Sequence, residues 1–222
     1  MNLKQEAAKR AVTLINNHSA VGLGAGATMA YMVEFLSQEK PAVQLYTSSA
    51  ATKTLLQQKG FEVNDIAGAS SLDLYFDGCD QFDKDLNALK SGGGIHTVEK
   101  LLASIAKEFV LVGDESKYAE QLDTTYPLVL EILPQAISFV PAKVQRLFSG
   151  VKTATRYDVN NRVVVTENGN YLTDVWFPEW PELSQLNPIL KTITGIVETS
   201  LFYNMAHKAI IAGSEGVRIL EK

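Results

Sequence analysis

A few short stretches of this 222-residue sequence combine residue types that could do chemistry. In DLYFDGCDQFD an apolar run from Asp73 leads straight into Asp77, Asp80 and Asp83. Shortly after comes KSGGGIHTVEK, where Lys90 opens a turn containing Gly92, Gly93 and Gly94, and Glu99 falls in the first turns of the helix that follows. Successive glycines let a backbone approach a ligand closely. A carboxylate near a lysine, in a pocket shared with two aspartates, has the parts of a proton-abstracting site. It offers a base, a cation to polarise a carbonyl, and acids to manage hydroxyl protons. Lys117, in GDESK, supplies a second cation for an anionic substrate. The competing reading makes the aspartates a solvated rim with turn and cap uses, and Glu99 a helix-surface residue.

A second glycine-rich stretch, GLGAGAT, contains Gly22, Gly24 and Gly26 and runs into a helix near Thr28. Bare backbone N–H groups and a helix N-terminus can hold an anion there, although the same glycines also serve a tight strand-to-helix turn. Met29 stands where a dinucleotide fingerprint has its third glycine, and the Lys-Ser/Thr ending of a P-loop is missing. Cys79 is the sole cysteine, and with only His18, His96 and His207 there is no zinc-ligand spacing. Cys79 reads as a small buried apolar residue, and Trp176 and Trp180, beside prolines, as packing at a domain edge or subunit contact.

The elements that must position these residues alternate in period. LKQEAAKRAVTLINN has helical spacing, AVGLG is a short strand, TMAYMVEFLSQ a helix and AVQLYTS a strand. AATKTLLQQKG is a helix, LDLYFDG a strand, TVEKLLASIAKE a helix and FVLVGD a strand. That alternation predicts an α/β fold, a Rossmann-like, mostly parallel sheet with helices on both faces. Ligands of such sheets bind at the carboxyl ends of strands, where the three candidate loops fall.

After Tyr126 the texture changes, with six of the seven prolines between Pro127 and Pro188. The order PLVLEIL strand, AISFVPAKVQRLF helix, KTATRYD and RVVVTENGNYLTDVWF strands, PELSQLNPILKTI helix and GIVETSLFY strand is close to a ferredoxin-like α+β unit. MAHKAIIAGSEGVRILEK returns to the earlier style. The expected domains are therefore residues 1–126 with 204–222, Rossmann-like and catalytic, and residues 127–203, an inserted ferredoxin-like domain. A formal charge of −5 gives no basic face for nucleic acid or for an anionic membrane, and no apolar run reaches the ~18 residues of a span. The N-terminus lacks a signal-peptide core, so a cytoplasmic protein is expected.

At these residues the sequence resembles the type A ribose-5-phosphate isomerases, which interconvert ribose 5-phosphate and ribulose 5-phosphate in the pentose phosphate pathway. VGLGAGAT, TSSAAT, DGCD, KSGGGIHTVEK, GDESK, PLVLEILPQA and TSLFYNMAHKAIIAG carry the likeness along essentially the whole chain. The resemblance implies that Glu99 moves a proton between C2 and C1 through an enediolate. It implies that Asp77 and Asp80 bind sugar hydroxyls and assist ring opening, and that Lys90 stabilises the developing oxyanion. Gly78, Cys79 and the backbone of Ser91, Gly92 and Gly93 would line the site, and Ala25, Gly26, Ala27, Thr28 and Lys117 would contact substrate. Asp83, beyond the motif, would be solvated. The resemblance further implies no cofactor or metal, a phosphorylated pentose as substrate, and a homodimer or homotetramer. The chain departs from the family's usual residues at Ala25 and Ala27 (threonine and serine), Gln81 (glutamate), Ser91 (glycine) and Val98 (commonly arginine). Each missing hydroxyl removes a donor worth about 0.5–1.5 kcal/mol net. Two alternatives are a sugar-phosphate sensor and a paralogous isomerase for another phosphosugar.

Overall fold

The computed structural model describes residues 2–222. Along the chain it runs α1 (Leu3–Val12), β1 (Ala20–Leu23), α2 (Ala27–Glu39), β2 (Gln44–Thr47), α3 (Ala50–Gln58) and β3 (Leu72–Asp77). Next come two short strands, β4 (Gln81–Phe82) and β5 (Ala88–Leu89), then α4 (His96–Ile105) and β6 (Ala106–Asp114). The remainder is β7 (Leu128–Ile132), α5 (Phe139–Leu147), β8 (Lys152–Thr155), β9 (Tyr171–Trp176), α6 (Leu183–Lys191), β10 (Ile196–Thr199), β11 (Leu201–Phe202), β12 (Lys208–Gly213) and β13 (Gly216–Glu221).

The chain divides into two compact units. One comprises the segment ending at Cys79, Val98–Tyr118 and Asn204–Lys222. Its sheet has the order β13-β12-β6-β3-β1-β2, all parallel except the β12–β13 hairpin at the edge. Read from the other edge, the parallel strands follow the doubly wound 2-1-3-4-5 order, whose switch point lies between β1 and β3. Val21, Leu23, Leu74, Phe76, Val110, Val112, Ile210 and Ala212 alternate along their strands onto the face that packs with α1, α2 and α3. Tyr75 points the other way and stacks on Phe109, ring centroids 5.2 Å apart. Gly22 is required here, because a Cβ would lie 2.7 Å from the Tyr75 ring. Asn2 starts α1 with a capping box shared with Gln5.

The second unit comprises Asp80–Thr97 and Ala119–Tyr203. Its four-stranded antiparallel sheet, β10-β7-β9-β8, with α5 and α6 between the strands, is the ferredoxin-like β-α-β-β-α-β order. Leu128, Leu130, Ile132, Val140, Val144, Val175, Leu186 and Leu190 form its core. A separate three-stranded sheet, β11-β5-β4, joins residues 80–97 to this unit.

Three local expectations are corrected. The segment RVVVT is not a full strand and forms only the isolated bridges Tyr157–Val163 and Val165–Tyr171. Val163 and Val164 are only half-buried and Val165 is 59% exposed, so the segment has no fully buried apolar face to hold a strand register. GIVETSLFY breaks at buried Ser200 into β10 and β11, which belong to different sheets. The helix expected to reach Glu108 stops at Ile105, and Ala106 already pairs with Leu72 in the sheet.

Candidate active site

In the first unit the site is built on β1 and β3, the strands flanking the switch point. Gly24 follows β1 and donates its N–H to the Phe76 carbonyl at 2.8 Å. A Cβ on Gly24 would fall 1.9 Å from the Asp77 Cγ, so glycine makes the room that Asp77 occupies. Asp77 ends β3, is 1% exposed, and is gripped at both oxygens. Oδ1 accepts from the backbone N–H of Gly78 at 2.8 Å and of Ala25 at 3.2 Å, and Oδ2 accepts from the Tyr75 hydroxyl at 2.6 Å. Burial first, then the negative charges of Asp77 and Glu99, push the Tyr75 phenol well above its ordinary value. It therefore stays protonated and keeps donating. Tyr75 is a site residue that the sequence reading missed. Its signal is position, since two residues before Asp77 on a strand places it on the same face.

Glu99, in the first turn of α4, is 4% exposed. An acid buried this far is costly unless it has a task or a partner, which separates it from an ordinary helix-surface residue. The loop after β1 leads through half-buried Ala25 to exposed Gly26, whose φ of +95° suits glycine, and into α2 at exposed Ala27 and buried Thr28. The start of α2 has no side-chain cap and no acidic residue in its first turn, leaving its N–H groups to an anion. Lys117 lies in the short 3-10 turn after β6, is half-buried, and makes no ion pair among the described residues.

In the second unit Asp80 and the glycine turn form one structure. Asp80 Oδ2 accepts the N–H of Ser91 at 2.5 Å and of Gly92 at 3.0 Å, while the Asp80 N–H donates to the Leu89 carbonyl. Lys90 is 8% exposed, with its Nζ 5.8 Å from the Phe202 ring centroid and its N–H on the Ser200 carbonyl at 3.0 Å. Ser91 donates its hydroxyl to the Pro127 carbonyl. Gly92 and Gly93 are exposed, and Gly94 takes a φ of +70°. Arg156 closes the turn from its carbonyl side, donating to Gly92 O at 2.8 Å and Ser91 O at 2.9 Å. Nothing local in the sequence marks Arg156, which is 64 residues from Gly92.

Two expectations are corrected here. Asp83 is not solvated. It is 5% exposed and organises the β4–β5 turn, accepting the N–H groups of Asp85 and Asn87 and the Asn87 amide. A turn whose first aspartate takes three donors draws that side chain inward. Cys79 is half-buried, not fully packed away, and is in no disulfide. Gly78, beside it, is half-buried. Trp180 packs on Phe177 and donates to the Asp123 carbonyl within the second unit. Among the described residues no group of three or more His, Cys, Asp and Glu side chains could hold a metal ion.

A doubly wound parallel sheet with a buried aspartate at its switch point, accompanied by a ferredoxin-like unit, defines an α/β protein whose candidate site lies at the carboxyl ends of its strands. The family model for Ribose 5-phosphate isomerase A (phosphoriboisomerase A) matches residues 44–216. Ribose-5-phosphate isomerase A of Methanothermobacter thermautotrophicus is 35% identical over 224 residues, covering 99% of this chain and 98% of that protein. The protein of the same name from Bacillus mycoides is 35% identical over 226 residues, covering 98% and 99%. The solved ribose 5-phosphate isomerase A of Methanocaldococcus jannaschii superposes with a TM-score of 0.91 at 30% identity, covering 99% of this chain and 98% of that one. A D-ribose-5-phosphate isomerase solved in complex with phospho-erythronic acid gives 0.93 at 30% identity, with 100% of both chains covered. The chain belongs to the ribose 5-phosphate isomerase A family.

Proposed function

We propose that this protein interconverts D-ribose 5-phosphate and D-ribulose 5-phosphate through an enediolate, with Glu99 as the base. The observation that carries the reading is a pair of buried acids, Glu99 and a thrice-gripped Asp77, at the carboxyl end of the sheet of a chain in this family. In the opened aldose, Glu99 takes the C2 proton and negative charge develops on O1. Lys90 stabilises that charge. A proton passes from the C2 hydroxyl to O1, with Asp77 and Asp80 holding the hydroxyls, and Glu99 returns its proton to C1 to give the ketose. The backbone of Ser91, Gly92 and Gly93 contributes to binding the sugar, as do Gly78 and Cys79. The α2 N-terminus, with Ala25, Gly26, Ala27 and Thr28, and Lys117 take the phosphate. Phospho-erythronic acid, bound by a relative, carries a planar carboxylate with the shape of an enediolate, which supports this route.

The reaction belongs to the non-oxidative pentose phosphate pathway and is assigned to the cytoplasm, with the enzyme acting as a homodimer or homotetramer. The test is an isomerase assay of the purified protein with ribose 5-phosphate beside a panel of other aldose phosphates, with light scattering for the assembly. A kcat/KM highest for ribose 5-phosphate is expected. A clear preference for another aldose phosphate would instead favour the paralogous isomerase, whose support is the missing hydroxyls at Ala25 and Ala27. Tight binding without turnover would favour a sensor.

A further inference from the structure

The turn from Lys90 to Gly93 is held from two sides by opposite charges. Ser91 C=O and Gly92 N–H are the two ends of one peptide group. Its oxygen accepts from Arg156 Nη2 at 2.9 Å, and its N–H donates to Asp80 Oδ2 at 3.0 Å. A guanidinium at the oxygen and a carboxylate at the N–H both lie along the peptide dipole, so each bond strengthens the other. The next peptide repeats the first half of this pattern. Gly92 O accepts from Arg156 Nη1 at 2.8 Å, and the N–H at the other end belongs to exposed Gly93.

Arg156 is itself seated. Its Nε donates to Asp174 Oδ2 at 3.1 Å, and its Nη2 also bonds Asp174 Oδ1. The two side chains are only 19% and 14% exposed. Asp174 lies within β9, paired to Val129 of β7 and Ala154 of β8, and the Arg156 N–H bonds the Leu172 carbonyl. The guanidinium thus stands on the sheet of the second unit and reaches the turn as a fork.

We infer that Arg156, seated by Asp174, is a positioning residue for the isomerase reaction, fixing the Lys90–Gly93 turn from its carbonyl side so that Asp80 and Lys90 keep their places. The kinetic part of this inference rests on the proposed isomerase function. Lysine cannot substitute, because an ammonium lacks the planar fork that spans two carbonyls and a carboxylate together. The loss is expected in kcat rather than in KM, since a misplaced turn costs most where charge develops.

The test compares Arg156→Lys and Asp174→Asn with the wild type, with Arg162→Lys as a control in the exposed Arg162–Asp158 pair. Steady-state kinetics on ribose 5-phosphate should show kcat falling about 10- to 100-fold in Arg156→Lys, the scale of a misplacement of about 1 Å, with KM within about threefold. Hydrogen exchange of the Ser91 and Gly92 amides should quicken roughly tenfold while the sheet amides stay protected. Asp174→Asn should move both readouts the same way by less, and it serves if Arg156→Lys does not fold. Arg162→Lys should move neither. A folded Arg156→Lys enzyme with wild-type kcat, or one that loses kcat with unchanged exchange at Ser91 and Gly92, overturns the inference. If the wild type does not turn over ribose 5-phosphate, the isomerase reading falls, and the exchange arm alone decides whether Arg156 holds the turn.

Discussion

Gly24→Ala is the sharpest test of how Asp77 is held. The added Cβ would meet the Asp77 Cγ at 1.9 Å and its carboxylate oxygens at 2.0 and 2.3 Å. Ordinary contact begins at 3.4 Å, so Asp77 or the loop must retreat by about 1.5 Å. Moving the carboxylate that far breaks its bonds to Tyr75, Ala25 and Gly78, which span 2.6–3.2 Å and have no slack of that size. A shift of about 1 Å at a catalytic group costs on the order of 10²-fold, so kcat/KM for ribose 5-phosphate should fall at least about 100-fold, or about 2.7 kcal/mol of barrier. Leaving the buried Tyr75 hydroxyl without its acceptor adds a loss of about 1–3 kcal/mol in folding stability, read as a lower midpoint in urea. A folded Gly24→Ala protein with kcat/KM within threefold of wild type would refute the claim that this glycine exists to seat Asp77.

Glu99→Gln should keep the fold and lower kcat by about 10²–10⁴-fold, the range for a lost general base, as measured by steady-state assay beside circular dichroism. The double variant Ala25→Thr with Ala27→Ser should lower KM for ribose 5-phosphate and leave kcat within a few-fold, because a grip on a remote phosphate acts on ground and transition states alike. A large loss of activity would mean that the alanines shape the pocket for another substrate. Glu131 gives a pH prediction. Burial pushes its carboxyl up, but hydrogen bonds from Thr97, Asn170, Thr166 and Asn168 outweigh this and hold it below its ordinary value. Its stabilisation is therefore present above the unfolded value, about 4.3, and is lost as pH falls through the lower folded value. Glu131→Gln should unfold more readily at pH 7 and lose less further stability than wild type on acidification, as read by urea midpoints from pH 7 to pH 3.

The parallel sheet and the strand ends that bear Asp77 and Lys117 are legible in the sequence because buried β-strands and amphipathic helices leave different periods. LDLYFD shows both the strand and the acid that ends it. What escapes is set by contacts distant along the chain. Arg156 meets Ser91 and Gly92 across more than 60 residues, and no local pattern encodes that meeting. The two-residue strands β4 and β5 are too short to show alternation, so the turn they frame reads as a loop and Asp83 as a solvated acid. Tyr75 looks like one more apolar strand residue until its hydroxyl is seen on Asp77. The break at Ser200 is hidden because GIVETSLFY is apolar on both sides of it.

That break sets a length constraint on the whole second unit. Ser200 donates its N–H to the Val129 carbonyl and accepts the Val129 N–H at its hydroxyl, both at 2.8 Å, while its own carbonyl takes the Lys90 N–H. One residue thereby ties the count along β7 to the count leading into Lys90. β10 already absorbs one extra residue as a bulge between Ile196 and Glu198, so the alternation runs unbroken only from Glu198, and inserting or deleting a single residue between Glu198 and Ser200 would turn over everything keyed to that count. Insertions should instead be tolerated at the exposed Val159–Arg162 turn, which carries no such tie. Natural length variation among relatives should therefore collect at that turn and be excluded from the three residues that end at Ser200, so that the ferredoxin-like sheet serves the enzyme as a ruler.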